Sequence, residues 1–112
     1  MKRDKEWQRF EDYVAEEFKE IAPHAVHTKG SRYGDLKNIL GLHVECKSYA
    51  NLNVYKEDWM QKCLSEVPLH SNKMGILITK NNKNDIRVHM SWLDFKELFF
   101  EYYKLKYGVP ND

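Results

Sequence analysis

Asp35 and the tripeptide Glu45-Cys46-Lys47 are the residues of this chain whose types and spacing could do chemistry. They bracket the stretch 35–47, DLKNILGLHVECK, in which polar and apolar residues alternate on either side of a Gly-containing turn. A three-residue loop, Ile39-Leu40-Gly41, with Gly at the left-handed position predicts a hairpin. In that register Lys37 faces His43, Leu36 faces Val44, and Asp35 faces Glu45. One face then carries Asp35, Lys37, His43, Glu45 and Lys47; the other carries Leu36, Val44 and Cys46. A two-residue loop would shift the register by one and mix the two faces.

Opposed carboxylates on paired strands lie roughly 5 Å apart at Cβ and repel unless something neutralises them. A divalent cation would do so. Magnesium takes one or two carboxylates, keeps several waters and uses substrate phosphate oxygens for the rest. Lys47, one pleat further along, could stabilise charge developing at phosphorus or help deprotonate a metal-bound water. The same alternation also reads as a solvated face of a half-exposed strand.

The elements that must position these residues follow from periodicity. Trp7, Phe10, Val14, Phe18 and Ile21 form one stripe at helical spacing, predicting a helix over 5–21 closed by Pro23. Short strands are predicted at 25–29, 35–38 and 42–49, and a second helix at 55–67 before Pro68. The apolar run 74–79 suits a central strand buried on both faces. Ile86, Val88 and Met90 alternate with polar residues, predicting a half-buried strand. Ser91 and Asp94 resemble a capping box that opens a final aromatic helix to about Tyr107. The order αβββαββα predicts an α/β (α+β) fold: one mixed five-stranded sheet flanked by helices, in a single domain spanning 1–112.

Composition bounds the function. The 112 residues are 42% hydrophobic and 31% charged, and 18 Lys+Arg against 17 Asp+Glu give a formal charge of +1. Nucleic acid therefore cannot be held by bulk charge; a local patch is required. Three Trp, seven Tyr and five Phe exclude a disordered chain. Two cysteines make no disulfide scaffold, which predicts a reducing, cytoplasmic setting. The charged start carries no signal-peptide pattern, and no apolar stretch reaches the roughly 20 residues of a membrane span, so no membrane partner is expected.

Asp35 with Glu45-Cys46-Lys47 resembles the D…ExK signature of the PD-(D/E)XK nucleases. The likeness extends to Arg32-Tyr33-Gly34-Asp35, the block from Gly41 to Lys47, Leu52-Asn53-Val54-Tyr55, the turn near Asn82, and Val88-His89-Met90 leading to Asp94-Phe95. Over roughly residues 6 to 100 the chain is similar to small phage-encoded Holliday junction resolvase-like endonucleases. That resemblance implies a restriction-endonuclease-like fold and Mg²⁺-dependent hydrolysis of DNA phosphodiesters, Mn²⁺ substituting, with 5′-phosphate ends. It implies branched DNA as partner and, for a phage-encoded chain, the host cytoplasm. The alternatives are a nickase or flap endonuclease of the same fold, or a module that binds DNA without cutting it.

The resemblance implies catalytic roles for Asp35, Glu45, Lys47 and a Glu on the first helix. Glu16 lies opposite the apolar stripe; Glu11 and Glu17 both flank it, and periodicity does not choose between them. The pattern Phe10-Glu11-x-x-Val14-Ala15 is similar to the family's and favours Glu11. Asp12 departs from it, since relatives often carry a basic residue there. The expected metal ligands are Asp35, Glu45, Glu11 and the backbone carbonyl of Cys46; Cys46 and Cys63 themselves read as buried thiols. His43 shares the polar face. His24 and His27 lack the further ligands of a zinc site. Lys29, Ser31, Arg32 and Tyr33 form a loop suited to phosphates. Gln61 or Lys62 on the second helix, and Lys80 and Lys83 beside Arg87, are further candidate DNA contacts.

Placing 92–107 at 100° intervals spreads apolar residues over about 220° of the last helix, more than the roughly 100° one core requires. Part of that helix is therefore expected to meet a second surface. Together with the resemblance, this predicts a homodimer.

Overall fold

The computed structural model describes residues 6–28, 35–48, 56–69 and 71–109. Its elements are α1 (Glu6–Phe18), β1 (Val26–His27), β2 (Leu36–Lys37), β3 (Leu42–Ser48), α2 (Glu57–Glu66), β4 (Met74–Lys80), β5 (Ile86–His89) and α3 (Trp92–Tyr107). The order and the mixed α/β class are those expected.

The single five-stranded sheet is not formed. The strands make two sheets: antiparallel β1-β2, and β3-β4-β5 with β3 and β4 parallel and β4 and β5 antiparallel. The break falls between β2 and β3, where the hairpin ladder was expected. The Asp35 N–H donates to the Val44 carbonyl at 2.8 Å. The Cys46 N–H then donates to the Asp35 side chain, to Oδ2, at 2.7 Å. A carboxylate thus takes the place of a backbone acceptor, as short polar side chains do when they compete with a ladder. Asn38 (φ 68°) and Gly41 (φ 83°) turn the chain in the left-handed region, and the Asn38 amide donates to the His24 carbonyl at 2.8 Å.

β3 and β4 form the spine. Their register sets His43 beside Gly75, Val44 beside Ile76, Glu45 beside Leu77, Cys46 beside Ile78 and Lys47 beside Thr79. The Val44/Cys46 face packs on α1, where Phe10, Val14 and Ala15 join Leu36, Ile76 and Ile78 in the core. Burying a side chain such as Phe10 or Val14 is worth about 1.5–3 kcal/mol. α1 ends at Phe18, earlier than expected, and Ile21 leaves the stripe to stand 78% exposed. The chain here is already turning, with Ile21 and Ala22 both donating to the Phe18 carbonyl.

α2 covers the opposite face. Met60, Cys63 and Leu77 are buried there, and the Cys63 thiol donates to the Ile76 carbonyl at 3.4 Å. Gly75 permits this approach: a Cβ on it would lie 2.9 Å from Val67 Cγ2. β4 is buried from Gly75 to Thr79, as its apolar run predicts. β5 is not half-buried as expected; Ile86 and Val88 are exposed, none of the described residues covering that edge of the sheet. The Ser91 hydroxyl caps α3 by accepting from the Asp94 N–H at 3.1 Å. No residue of α3 is buried, and among the described elements none packs extensively along it.

Candidate metal and phosphate site

The carboxylates meet at the edge of β3 that faces β2. Asp35 arrives at the start of β2, Glu45 and Lys47 project from β3, and Glu11 comes from α1. Asp35 and Glu45 come together without the ladder that was expected to pair them, and the charges of Asp35 and Glu66 both act on Glu45. Burial, then the charge of Asp35, push Glu45 well above the usual carboxylate range.

Among the three Glu candidates on α1, only Glu11 is buried. It is 4% exposed, whereas Glu16 pairs with Lys19 and Glu17 accepts from the Tyr13 hydroxyl, both at the surface. Burial first, then the charges of Asp35 and Asp12, raise Glu11 to about 8, opposed by Lys47. Those influences place Glu11 within the field of both Asp35 and Lys47. His27, which the sequence did not mark as a site residue, sits beside it. Its Nε2 is 2.6 Å from Glu11 Oε1 and its Nδ1 is 3.2 Å from Asp12 Oδ1. The Nε2 contact is close but out of line for a hydrogen bond, so its attraction is that of charge when the ring is protonated.

The polar face of β3 is not solvated. His43 is 1% exposed, because α2 closes over it, and its Nε2 lies 3.3 Å from Glu45 Oε1. Burial lowers its pKa against the charge of Glu66, favouring the neutral ring. Lys47 is half-buried and makes no ion pair with a described residue. Cys46 and Cys63 are buried free thiols, as expected, with burial holding both well above ordinary thiol values.

The fit to a divalent cation can be judged from the donors. Among the described residues, no group of three or more His, Cys, Asp or Glu is arranged to hold a metal ion by itself. Magnesium does not need such a cage, since it uses one or two carboxylates and keeps its waters. Asp35 and Glu45 supply those two. Glu66 Oε1 is buried with no hydrogen-bond partner, so acceptor capacity beside Glu45 is unmet. A residue in a strand sends its N–H and C=O to the same side. The Cys46 N–H goes to Asp35, so its carbonyl also points to that edge, as an added ligand requires. The donor set is all oxygen and fits a hard cation with open positions.

Glu66 is the site residue that sequence reasoning missed. Its signal was its place three residues after Cys63, beside the buried face of α2. Lys62 is one turn before Glu66 and shares its side of the helix, whereas Gln61 donates to Glu57 at 3.1 Å. Lys80 ends β4 and lines a cleft of about 510 Å³ with Arg9, Phe10, Tyr13, Asn84 and Ile86. Lys83 lies in the β4–β5 turn, where Asn81 Oδ1 accepts from the N–H groups of Lys83 and Asp85 at 2.8 and 2.9 Å. Arg87 is engaged by Asp85 at 2.8 Å. Lys29, Ser31, Arg32 and Tyr33, and the segment Leu52–Tyr55, lie outside the described residues.

No family model matches the chain, and no curated protein or solved structure shows significant similarity to it.

Proposed function

We propose that this chain is a divalent-metal-dependent nuclease of the PD-(D/E)XK kind, hydrolysing DNA phosphodiesters, with branched DNA as its preferred substrate. The observation that carries the reading is that Asp35 acts electrostatically on both Glu45 and Glu11, with Lys47 acting on Glu11. Partly buried carboxylates that act on one another in this way destabilise the charged state. Their retention side by side is what a cation site requires.

Asp35 and Glu45 would hold Mg²⁺ or Mn²⁺, with the Cys46 carbonyl as a further oxygen ligand and Glu11 behind them. The bound cation would supply Lewis-acid stabilisation of the phosphorane charge and a more acidic water. The chain's own residues do the rest. The Cys46 N–H fixes one Asp35 oxygen. His43, buried and favoured as the neutral ring, borders Glu45. Lys47 carries a mobile positive charge one pleat from Glu45, where a phosphate oxygen can receive its hydrogen bonds. Lys62, Lys80 and Lys83 are the described cations available to phosphates further along the DNA.

The test is cleavage of four-way junctions, flaps, nicked duplexes and linear duplexes with Mg²⁺ or Mn²⁺, beside calorimetric titration of the metal alone. Preferential cutting of junctions, with metal binding lost in Glu45→Gln, supports the reading. Cutting of flaps or nicked duplexes instead would keep the chemistry and change the substrate. Absence of metal binding by the folded protein would overturn it.

A further inference from the structure

The last helix is a 16-residue rod of which no residue is buried by the described residues of its own chain. Trp92, Phe95, Phe99, Tyr102 and Tyr103 lie along one side, each 40–67% exposed. Their rings touch in series, with centroids 5.7 Å apart for Phe95–Phe99 and 5.6 Å for Phe99–Tyr102. The molecule measures 62 Å along its longest axis against 30 and 27 Å on the others. The Ser91 cap fixes the direction in which α3 leaves β5.

A second unpartnered apolar surface lies across the sheet. A cleft of about 430 Å³ opens between α1 and β5, lined chiefly by Tyr13, Phe18, Ile21, Ile78, Ile86 and Val88. The root of α3 borders the other face, where Trp92 and Phe95 line a groove with Met60 and Leu64 of α2. The sheet thus separates each chain's own α3 from its own α1/β5 cleft.

We propose that two copies of this chain exchange their last helices, α3 of each lying in the α1/β5 cleft of the other. The areas match. Aromatic side chains bury roughly 150–250 Å² each, so one half-exposed stripe offers on the order of 500 Å². Two helices and the clefts they cover reach about 2,000 Å², the size of a stable interface. The charges match as well. Glu17 and Glu20 border the cleft, and Lys106, with Lys104 already paired to Glu101, occupies the far end of α3. A twofold axis satisfies both copies at once and covers both the aromatic stripe and the cleft. This assembly is argued from the apolar surfaces alone and goes beyond the nuclease reading.

Light scattering on the full chain tests it. The expected mass is twice 13.4 kDa at micromolar concentration. Phe99→Asp should give a monomer with unchanged circular dichroism, because no α3 residue is buried within its own chain. Val88→Asp, on the receiving side, should do the same. Mixing an Ile21→Cys chain with a Tyr103→Cys chain should give a disulfide-linked pair on oxidation. A monomer at high micromolar concentration would overturn the exchange, as would cross-links of Tyr103→Cys chains only to each other. So would a monomer whose α3 is protected only when DNA is added.

Discussion

The Asp35 carboxylate accepts the Cys46 backbone N–H at 2.7 Å, in the place a neighbouring strand's carbonyl would otherwise fill. One side chain therefore both ends the β2–β3 pairing and delivers a carboxylate to Glu45. Fold and candidate chemistry are separable at this position by the choice of substitution.

Asp35→Asn keeps an oxygen for the Cys46 N–H and removes the charge. It should fold with near-native stability, lose cleavage, and bind Mg²⁺ more weakly. Asp35→Ala should lose cleavage and also cost about 1–3 kcal/mol, because a buried N–H is left unsatisfied. Denaturant titration of the two variants measures the difference; equal stabilities would remove the structural role of this bond.

Lys47→Ala should lose cleavage while retaining metal binding, since an ammonium donates and is no ligand. Calorimetric metal titration beside a cleavage assay checks this. Loss of metal binding from a folded variant would contradict the assignment.

The metal-free protein should lose stability as pH rises. Glu11 has a folded-state pKa of about 8 against an ordinary 4.5, so the folded state binds more protons between these values. Stability from this group is complete below pH 4.5 and falls through about pH 8, at up to about 1.4 kcal/mol per pH unit. Glu11→Gln should flatten that slope, and Mg²⁺ should offset it most at the alkaline end. Urea midpoints between pH 5 and 9 test the sign.

Glu66→Gln removes a negative charge and keeps an oxygen beside Glu45. Glu45 should then ionise at lower pH, and the pH dependence of metal binding should move to the acid side. An unmoved profile would place Glu66 outside the cluster that acts on Glu45.

What the sequence made legible depended on whether a local pattern decided the outcome. The run 74–79 could only be a strand buried on both faces, and β4 is one. Alternation around Gly41 pointed to the approach of Asp35 to Glu45, whereas periodicity left Glu11 and Glu17 open on α1 and only the family resemblance favoured Glu11. The ladder between β2 and β3 was not legible, because a carboxylate competing for one N–H leaves no periodic trace. Burial of His43 depends on α2 crossing above it, which strand alternation cannot report. Glu66 was hidden for the same reason: only the parallel β3–β4 pairing carries the end of α2 back to Glu45. The wide apolar arc of α3 announced a second surface, yet that none of its residues is buried against the described residues of its own chain is a tertiary fact.

The parallel rungs from Leu42↔Met74 to Ser48↔Lys80 also have a bearing on how the molecule is born. Glu11, Asp35, Glu45 and Lys47 all leave the ribosome before the strand that holds β3 straight has been made. A crossover pairing waits on closure of the intervening loop and forms slowly. The nascent chain is therefore unable to set its carboxylates in place until Lys80 has emerged. A message cut short between the codons for Glu66 and Lys80 yields a polypeptide with every acidic residue of the site and without the strand pairing that positions them.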